Sequence, residues 1–494
     1  MSFNSFEFVV FFPLVVLIYF CMPAKWRNLM LLAASYYFYM CWKAEYIFLI
    51  VISTIIDYAV GLRIGGEADA KTRKSLLLVS LVANLGLLFI FKYANFFSDS
   101  AREVLNSLNI FYGVPHFNLL LPVGISFYTF QTLSYTIDVY RGKKKPEKSL
   151  LIFALYVSFF PQLVAGPIER STRLIPQFHR VNRFDMQRFI DGSQLMLWGF
   201  YKKIVISDRL AEFVDTVYGA PTEFSGIPLI MATVMFGFQI YCDFSGYSDI
   251  AIGAARILGY DLMNNFNHPY FSVTVPDYWR RWHISLSSWI KDYLYIPLGG
   301  NRVSRWRYYF NLFFIFLVCG LWHGASWMLV LWGGLHGLYM VGGAATRGVR
   351  SRLRQEFHAE RFSGVLKFAG IACTFSLVTF SWVLFRGESI GDSYYIATHL
   401  FSGLPSISDL ANLGSGGNVL GLAGIRCYSI RYLLVVVINV LFMEFVHILD
   451  RPKGTRRLLN GRPALLRWPA FIYMFWSIVF LGHYGYTEFI YFQF

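Results

Sequence analysis

The chain has 494 residues, of which 56% are hydrophobic, 19% aromatic and only 15% charged, where a soluble globular protein carries roughly 25% charged residues. That composition excludes an ordinary soluble enzyme and points to a membrane protein. The net charge of +15, from 44 Lys+Arg against 29 Asp+Glu, comes from basic residues in short loops between apolar runs. This is the pattern of a bilayer-crossing chain with positive loops inside, and it excludes nucleic acid as a partner.

In chain order, Phe8 to Met22, Leu29 to Trp42, Tyr46 to Leu62 and Leu76 to Phe91 are apolar runs close to the roughly 20 residues that a helical span requires. No basic n-region precedes the first, and no small-residue cleavage site follows it, so it is expected to stay as a span rather than leave as a signal peptide. Arg63 to Lys74 and Arg141 to Lys148 are short and basic and are predicted to be cytoplasmic, as is Glu169 to Arg188 with its five arginines. If both ends of Leu150 to Gly166 face the cytoplasm, that run cannot be a simple span. Pro161, Gly166 and Pro167 interrupt it, which predicts a broken or re-entrant segment covered by protein or by an internal cavity.

Further on, Pro228 to Leu258 reads as a buried helix carrying Gln239, Asp243 and Ser245. Gln239 and Asp243 are four apart and share a face, where polar side chains commonly glue spans together. Pro276 to Gly300 mixes Trp, Arg, His and Tyr, and is expected at headgroup level, lying in the interface or dipping in and out of it. Its Arg280, Arg281 and Lys291 could pair with a phosphate-bearing substrate or equally with lipid phosphates. Tyr308 to Ala345 is flanked by basic loops on both sides, which predicts a helical hairpin with His323 near its turn, toward the outer side. Gly320, Gly324 and Ala325 would allow close backbone approach there. The runs Phe368 to Phe385, Tyr432 to Leu449 and Trp468 to Gly482 complete the spans. The Gly/Ser-rich stretch Gly387 to Ala423 and the tail Thr487 to Phe494 are expected outside, and the basic Arg347 to Lys367 and Arg451 to Arg467 inside. In total, roughly ten to twelve membrane segments are expected, in a single integral membrane domain over residues 1–494.

Three histidines stand in or beside apolar sequence: His283, His323 and His336. An ionisable group in hydrocarbon is expensive and suggests function. On one continuous helix, His323 and His336 would lie about 20 Å apart and about 140° apart in direction, so they are not expected to grip one reacting atom. Neither these histidines nor the six cysteines have metal-ligand spacing. A desolvated imidazole stays neutral, and neutral imidazole can take a proton from an attacking hydroxyl, which suits acyl transfer. No Gly-x-Ser-x-Gly nucleophile elbow is present. From the residues alone, a catalytic His323 and a structural one both remain open.

Several motifs, in order, resemble the membrane-bound O-acyltransferase family. They are Pro122-Val-Gly-Ile-Ser-Phe-Tyr-Thr-Phe-Gln131, Phe160-Pro-Gln-Leu-Val-Ala-Gly-Pro-Ile-Glu-Arg170, Asp243-Phe-Ser-Gly-Tyr-Ser-Asp249, Arg281-Trp-His-Ile-Ser-Leu-Ser287, Leu321-Trp-His-Gly-Ala-Ser-Trp327 and Phe489-Ile-Tyr-Phe-Gln-Phe494. The branch they resemble is that of bacterial alginate O-acetylases, with peptidoglycan O-acetyltransferases and teichoic-acid D-alanylation proteins as relatives. The resemblance implies an all-α polytopic fold of about eleven transmembrane helices plus re-entrant segments around a central tunnel, in the bacterial inner membrane. It implies that His323 is catalytic and that His283 occupies a second, more variable polar position; His336 has no firm role in the family and is a candidate from its place in the apolar run alone. It also implies acetyl-CoA as the donor substrate with no bound cofactor. Tunnel or donor-binding candidates are then Arg280, Arg281, Asp243, Gln239 and Lys291. The acceptor would be an extracytoplasmic polysaccharide, aided by a periplasmic or membrane-anchored transfer partner. D-alanyl or other acyl transfer from a carrier-protein thioester, and plain transport, are the alternatives. A transporter should often carry inverted repeats, which the sequence lacks.

Overall fold

The structure is a computed structural model. It describes the chain apart from residues 67–68, 114–115, 118–119, 165, 357–361, 405–429, 451–458, 460–461, 485–488 and 491–494. The expected outer loop beyond residue 404, most of the basic stretch 451–467, Cys427 and the tail other than Phe489 and Ile490 therefore lie outside the described residues. Among the described residues every regular element is helical. Seven helical segments are long and apolar enough to cross a membrane: Ala44–Gly66, Ala70–Ser107, Ile227–Ile257, Trp327–Ala345, Ser363–Arg386, Ile430–Leu449 and Ala464–Leu481. Phe6–Cys21 is apolar but shorter. Part of the expected outer loop is itself helical, at Ile390–His399.

Two compact units emerge, Met1–Met196 with Tyr247–Asn264, and Leu197–Gly246 with Asn265–Phe494. Their boundary falls within the helix Ile227–Ile257.

The first unit contains the broken segment. Helix Leu150–Ser158 stops at Phe159, whose ψ of 109° leaves the helical region, and a short helix Phe160–Leu163 follows. Such a break leaves carbonyls without their intrahelical donors, a cost that must be met from elsewhere in a dry interior. Two glutamine side chains meet it: Gln162 Nε2 donates to the Tyr156 carbonyl at 2.6 Å, and Gln131 Nε2 donates to the same oxygen. The Phe160 N–H donates to Ser35 Oγ at 3.1 Å. Gln131 and Gln162 come from separate motifs, so the irregular backbone is closed by residues about 30 positions apart. In the same unit, Asp57 is wholly buried, accepting from Ser80, from Thr136 at 3.2 Å and from Asn84 at 2.8 Å. This ties helices Ile47–Gly66, Ala70–Leu88 and Ile125–Tyr140 together by side-chain hydrogen bonds.

The second unit contains the hairpin, as helices Arg305–His323 and Trp327–Ala345. The two cross at glycines. A Cβ on Gly333 would lie 2.2 Å from the Phe316 carbonyl oxygen, and one on Gly320 would lie 2.2 Å from that of Leu329. Only hydrogen side chains allow this approach. Replacing Gly333 by alanine forces the helices apart, and strain of this kind costs about 1–3 kcal/mol. A lower melting temperature in detergent and reduced activity are expected for Gly333→Ala. A melting curve superimposable on that of the wild type would contradict the crossing.

Candidate active site

His323 is the last residue of its helix and is 3% exposed. It is walled by rings: Trp322 at 5.0 Å, Trp332 edge-on at 5.1 Å and Phe385 at 5.6 Å between centroids. The hairpin turn at 324–326 ends in Ser326, which caps the second helix through its hydroxyl. The turn therefore holds the imidazole on a rigid helix end rather than on a loop.

His336 is not remote from His323, as a single continuous helix would have made it. The hairpin folds the chain back so that Trp332 stands between them, 4.8 Å from His336 and 5.1 Å from His323. The one-helix separation of about 20 Å is thus overturned by the turn. Yet the two rings have different chemistry. The Trp279 Nε1–H donates to His336 Nδ1 at 3.2 Å. Ser381 Oγ donates its proton to the Val378 carbonyl at 2.6 Å, so it must accept from His336 Nε2, 2.9 Å away. Both imidazole nitrogens are thereby engaged, in one tautomer, which is the signature of a structural histidine.

His283 lies between the short helices Val275–Arg281 and Ile284–Ile290, with a left-handed φ of 43°. A non-glycine residue held there costs of order 1–3 kcal/mol and persists only where its surroundings dictate it. One residue, Asn265, does so. Its backbone carbonyl accepts from the Ile284 N–H at 2.9 Å. Its Oδ1 accepts from the Ser285 N–H at 3.2 Å and the Ser285 hydroxyl at 2.7 Å, and lies 3.3 Å from His283 Nδ1. Burial pushes the His283 imidazole down to about 3, so it is neutral. With Nδ1–H donating to Asn265, its Nε2 keeps the lone pair. His283 lies 5.9 Å from Trp322, whose other neighbour is His323, and 4.7 Å from Phe244. His283 and His323 thus flank one indole.

The remaining candidates are placed elsewhere or are already bound. Arg280 and Lys291 are exposed, and Arg281 pairs with Asp277 at 3.1 Å. Within the stretch 276–300, Trp279, Trp282 and Trp289 are all buried, and the chain breaks between two short helices at His283. Asp243 is ion-paired with Lys203 at 2.6 Å, Lys203 also reaches Asp208 at 2.7 Å, and Asp243 accepts the Ile490 N–H at 2.7 Å. Gln239 is buried one turn away. Sequence reasoning missed Asn265, Trp332, Ser381 and Lys203. Only Lys203, a charge within an apolar run, left a signal that could have been read.

A chain whose regular elements are helical among the described residues, with several helices long and apolar enough to cross a membrane, defines a multi-pass membrane protein. Residues 147–383 match the membrane-bound O-acyltransferase family. The chain is 41% identical over 421 residues to a probable alginate O-acetylase of Pseudomonas aeruginosa, covering 83% of this chain and 77% of that one. It is 36% identical over 516 residues to one of Azotobacter vinelandii, covering 100% and 99%. It is 36% identical over 423 residues to a peptidoglycan O-acetyltransferase of Helicobacter pylori, covering 78% and 77%. The protein belongs to the membrane-bound O-acyltransferase family and is an O-acyltransferase.

The bracketing role of His336 is open to measurement. His336→Ala orphans the Trp279 N–H and should lose about 1–3 kcal/mol of stability, read as a lower melting temperature. A melting temperature unchanged from the wild type would reject the structural assignment of His336.

Proposed function

We propose that the protein transfers acetyl groups from acetyl-CoA, bound from the cytoplasm, to hydroxyls of an extracytoplasmic polysaccharide such as alginate, in the bacterial inner membrane. His323 acts as the general base. The observation that carries this reading is the place of His323: buried, at the end of a helix, with indole and phenyl rings on its faces. An imidazole in such surroundings takes a proton readily only from a group brought into the site, since bulk water is kept away.

The acceptor hydroxyl loses its proton to His323 as its oxygen attacks the thioester carbonyl carbon, and the departing thiolate recovers that proton. His283, neutral and with Nε2 as acceptor, lies one indole away and helps orient the donor. The names of the relatives support a polymer acceptor, and a periplasmic or membrane-anchored partner would complete delivery to the polymer.

Purified protein supplied with labelled acetyl-CoA and alginate oligomers tests this. His323→Ala, inserted normally, should lose at least about 100-fold in turnover. Full acetylation by that variant sinks the role of His323. Turnover of a carrier-protein thioester of D-alanine in place of acetyl-CoA sinks the donor assignment.

A further inference from the structure

Beside His323 the second unit buries two hydrogen-bond donors that a general base leaves unused. Trp332 and Trp382 are each 1% exposed, and among the described residues the Nε1–H of neither finds an acceptor. A buried donor without an acceptor costs about 1–3 kcal/mol, and each such group in a folded protein calls for a reason. Phenylalanine would supply an aromatic wall without that cost. The contrast with Trp279 is direct, since its N–H is taken by His336.

The two indoles lie 5.8 Å apart and nearly parallel, at 18°. Both meet Phe385 edge-on at 5.2 Å, and Phe385 itself lies 5.6 Å from His323. An N–H over a phenyl ring is at most a weak substitute for a true acceptor. Gly237 presents no side chain to the second indole: a methyl group there would stand in van der Waals contact, 3.7 Å from Trp382 Nε1 and 3.5 Å from the Tyr270 hydroxyl.

We propose that Trp332 and Trp382 form the oxyanion hole of the transfer, donating their indole N–H groups to the thioester carbonyl oxygen as it becomes an alkoxide. This rests on the reading of His323 as the base. As the acceptor oxygen bonds to the carbonyl carbon, its proton passes to His323 and the carbonyl π pair moves onto oxygen. The two N–H groups hold that charge. The C=O bond then re-forms, the C–S bond breaks, and the thiolate takes the proton from the imidazolium. Indole suits the task because it only donates and has no lone pair to compete for the proton. Fixed donors in a dry site act without reorganising solvent.

Trp332→Phe and Trp382→Phe keep the aromatic wall and remove one donor each. Each should lower kcat about 100-fold with KM for acetyl-CoA unchanged and no fall in melting temperature. Unchanged kcat in both overturns the proposal, as does a loss confined to KM or to stability. His323→Ala runs alongside: activity in that variant removes the base reading, whereas its loss beside fully active Trp variants rejects the oxyanion hole alone. A measurement on the wild type covers the case of misfolding. Ultraviolet resonance Raman spectra with and without acetonyl-CoA, a ketone analogue, should show the hydrogen-bond-sensitive indole mode shifting on binding. An unchanged mode overturns the assignment.

Discussion

The hairpin depends on a contact between two backbones. At Gly320 and Gly333 the helices approach so closely that a Cβ on either residue would strike a carbonyl oxygen of the other helix. In a span no hydrophobic force favours such a crossing over lipid, so close packing and shape contribute to holding it. The consequences reach the site. The crossing brings the second helix back along the first, so that Trp332 lies against His323 and His336 lies behind Trp332.

Three histidines then acquire different roles from the company they keep. His336 has both nitrogens occupied and serves as a bracket between Trp279 and Ser381. His283 is strained in its backbone and has its tautomer set by Asn265. His323 has aromatic rings on three sides and sits where a helix ends. Residue type alone does not distinguish these; their surroundings do. The ion pair of Lys203 with Asp243 and Asp208 makes the same point for charge. Buried carboxylates that looked available for substrate are already answered by a lysine, and breaking one side of such a set would strand the other.

Much of this was readable beforehand. Apolar runs located the spans, basic flanks located the hairpin, and two prolines with a glycine located the broken segment at Phe159. Each of these follows from composition over ten or more residues, where errors average out. What could not be read depends on where single side chains meet. The separation of His323 and His336 was taken along one continuous helix, although the basic flanks already predicted the turn that brings them together. Asn265 lies 18 residues from His283, and nothing in local sequence couples them. The stretch 276–300 reads as interfacial from its mixture of Arg and Trp, and the mixture does not show that Trp279, Trp282 and Trp289 are all buried.

A dry site constrains how charge can be handled in acyl transfer. The reaction creates an alkoxide and an imidazolium at once, and both are costly where the dielectric is low. The imidazole stands at steep angles to the rings of Trp322, Trp332 and Phe385. A ring face repels negative charge, so the alkoxide gains nothing from such walls. It needs N–H or O–H donors already in place, and among the described residues the indole N–H groups of Trp332 and Trp382 are buried without an acceptor. The hydrocarbon setting that makes a lone histidine expensive also makes two idle N–H groups expensive. In the proposed transfer both costs are recovered as the thioester carbonyl oxygen accepts from them.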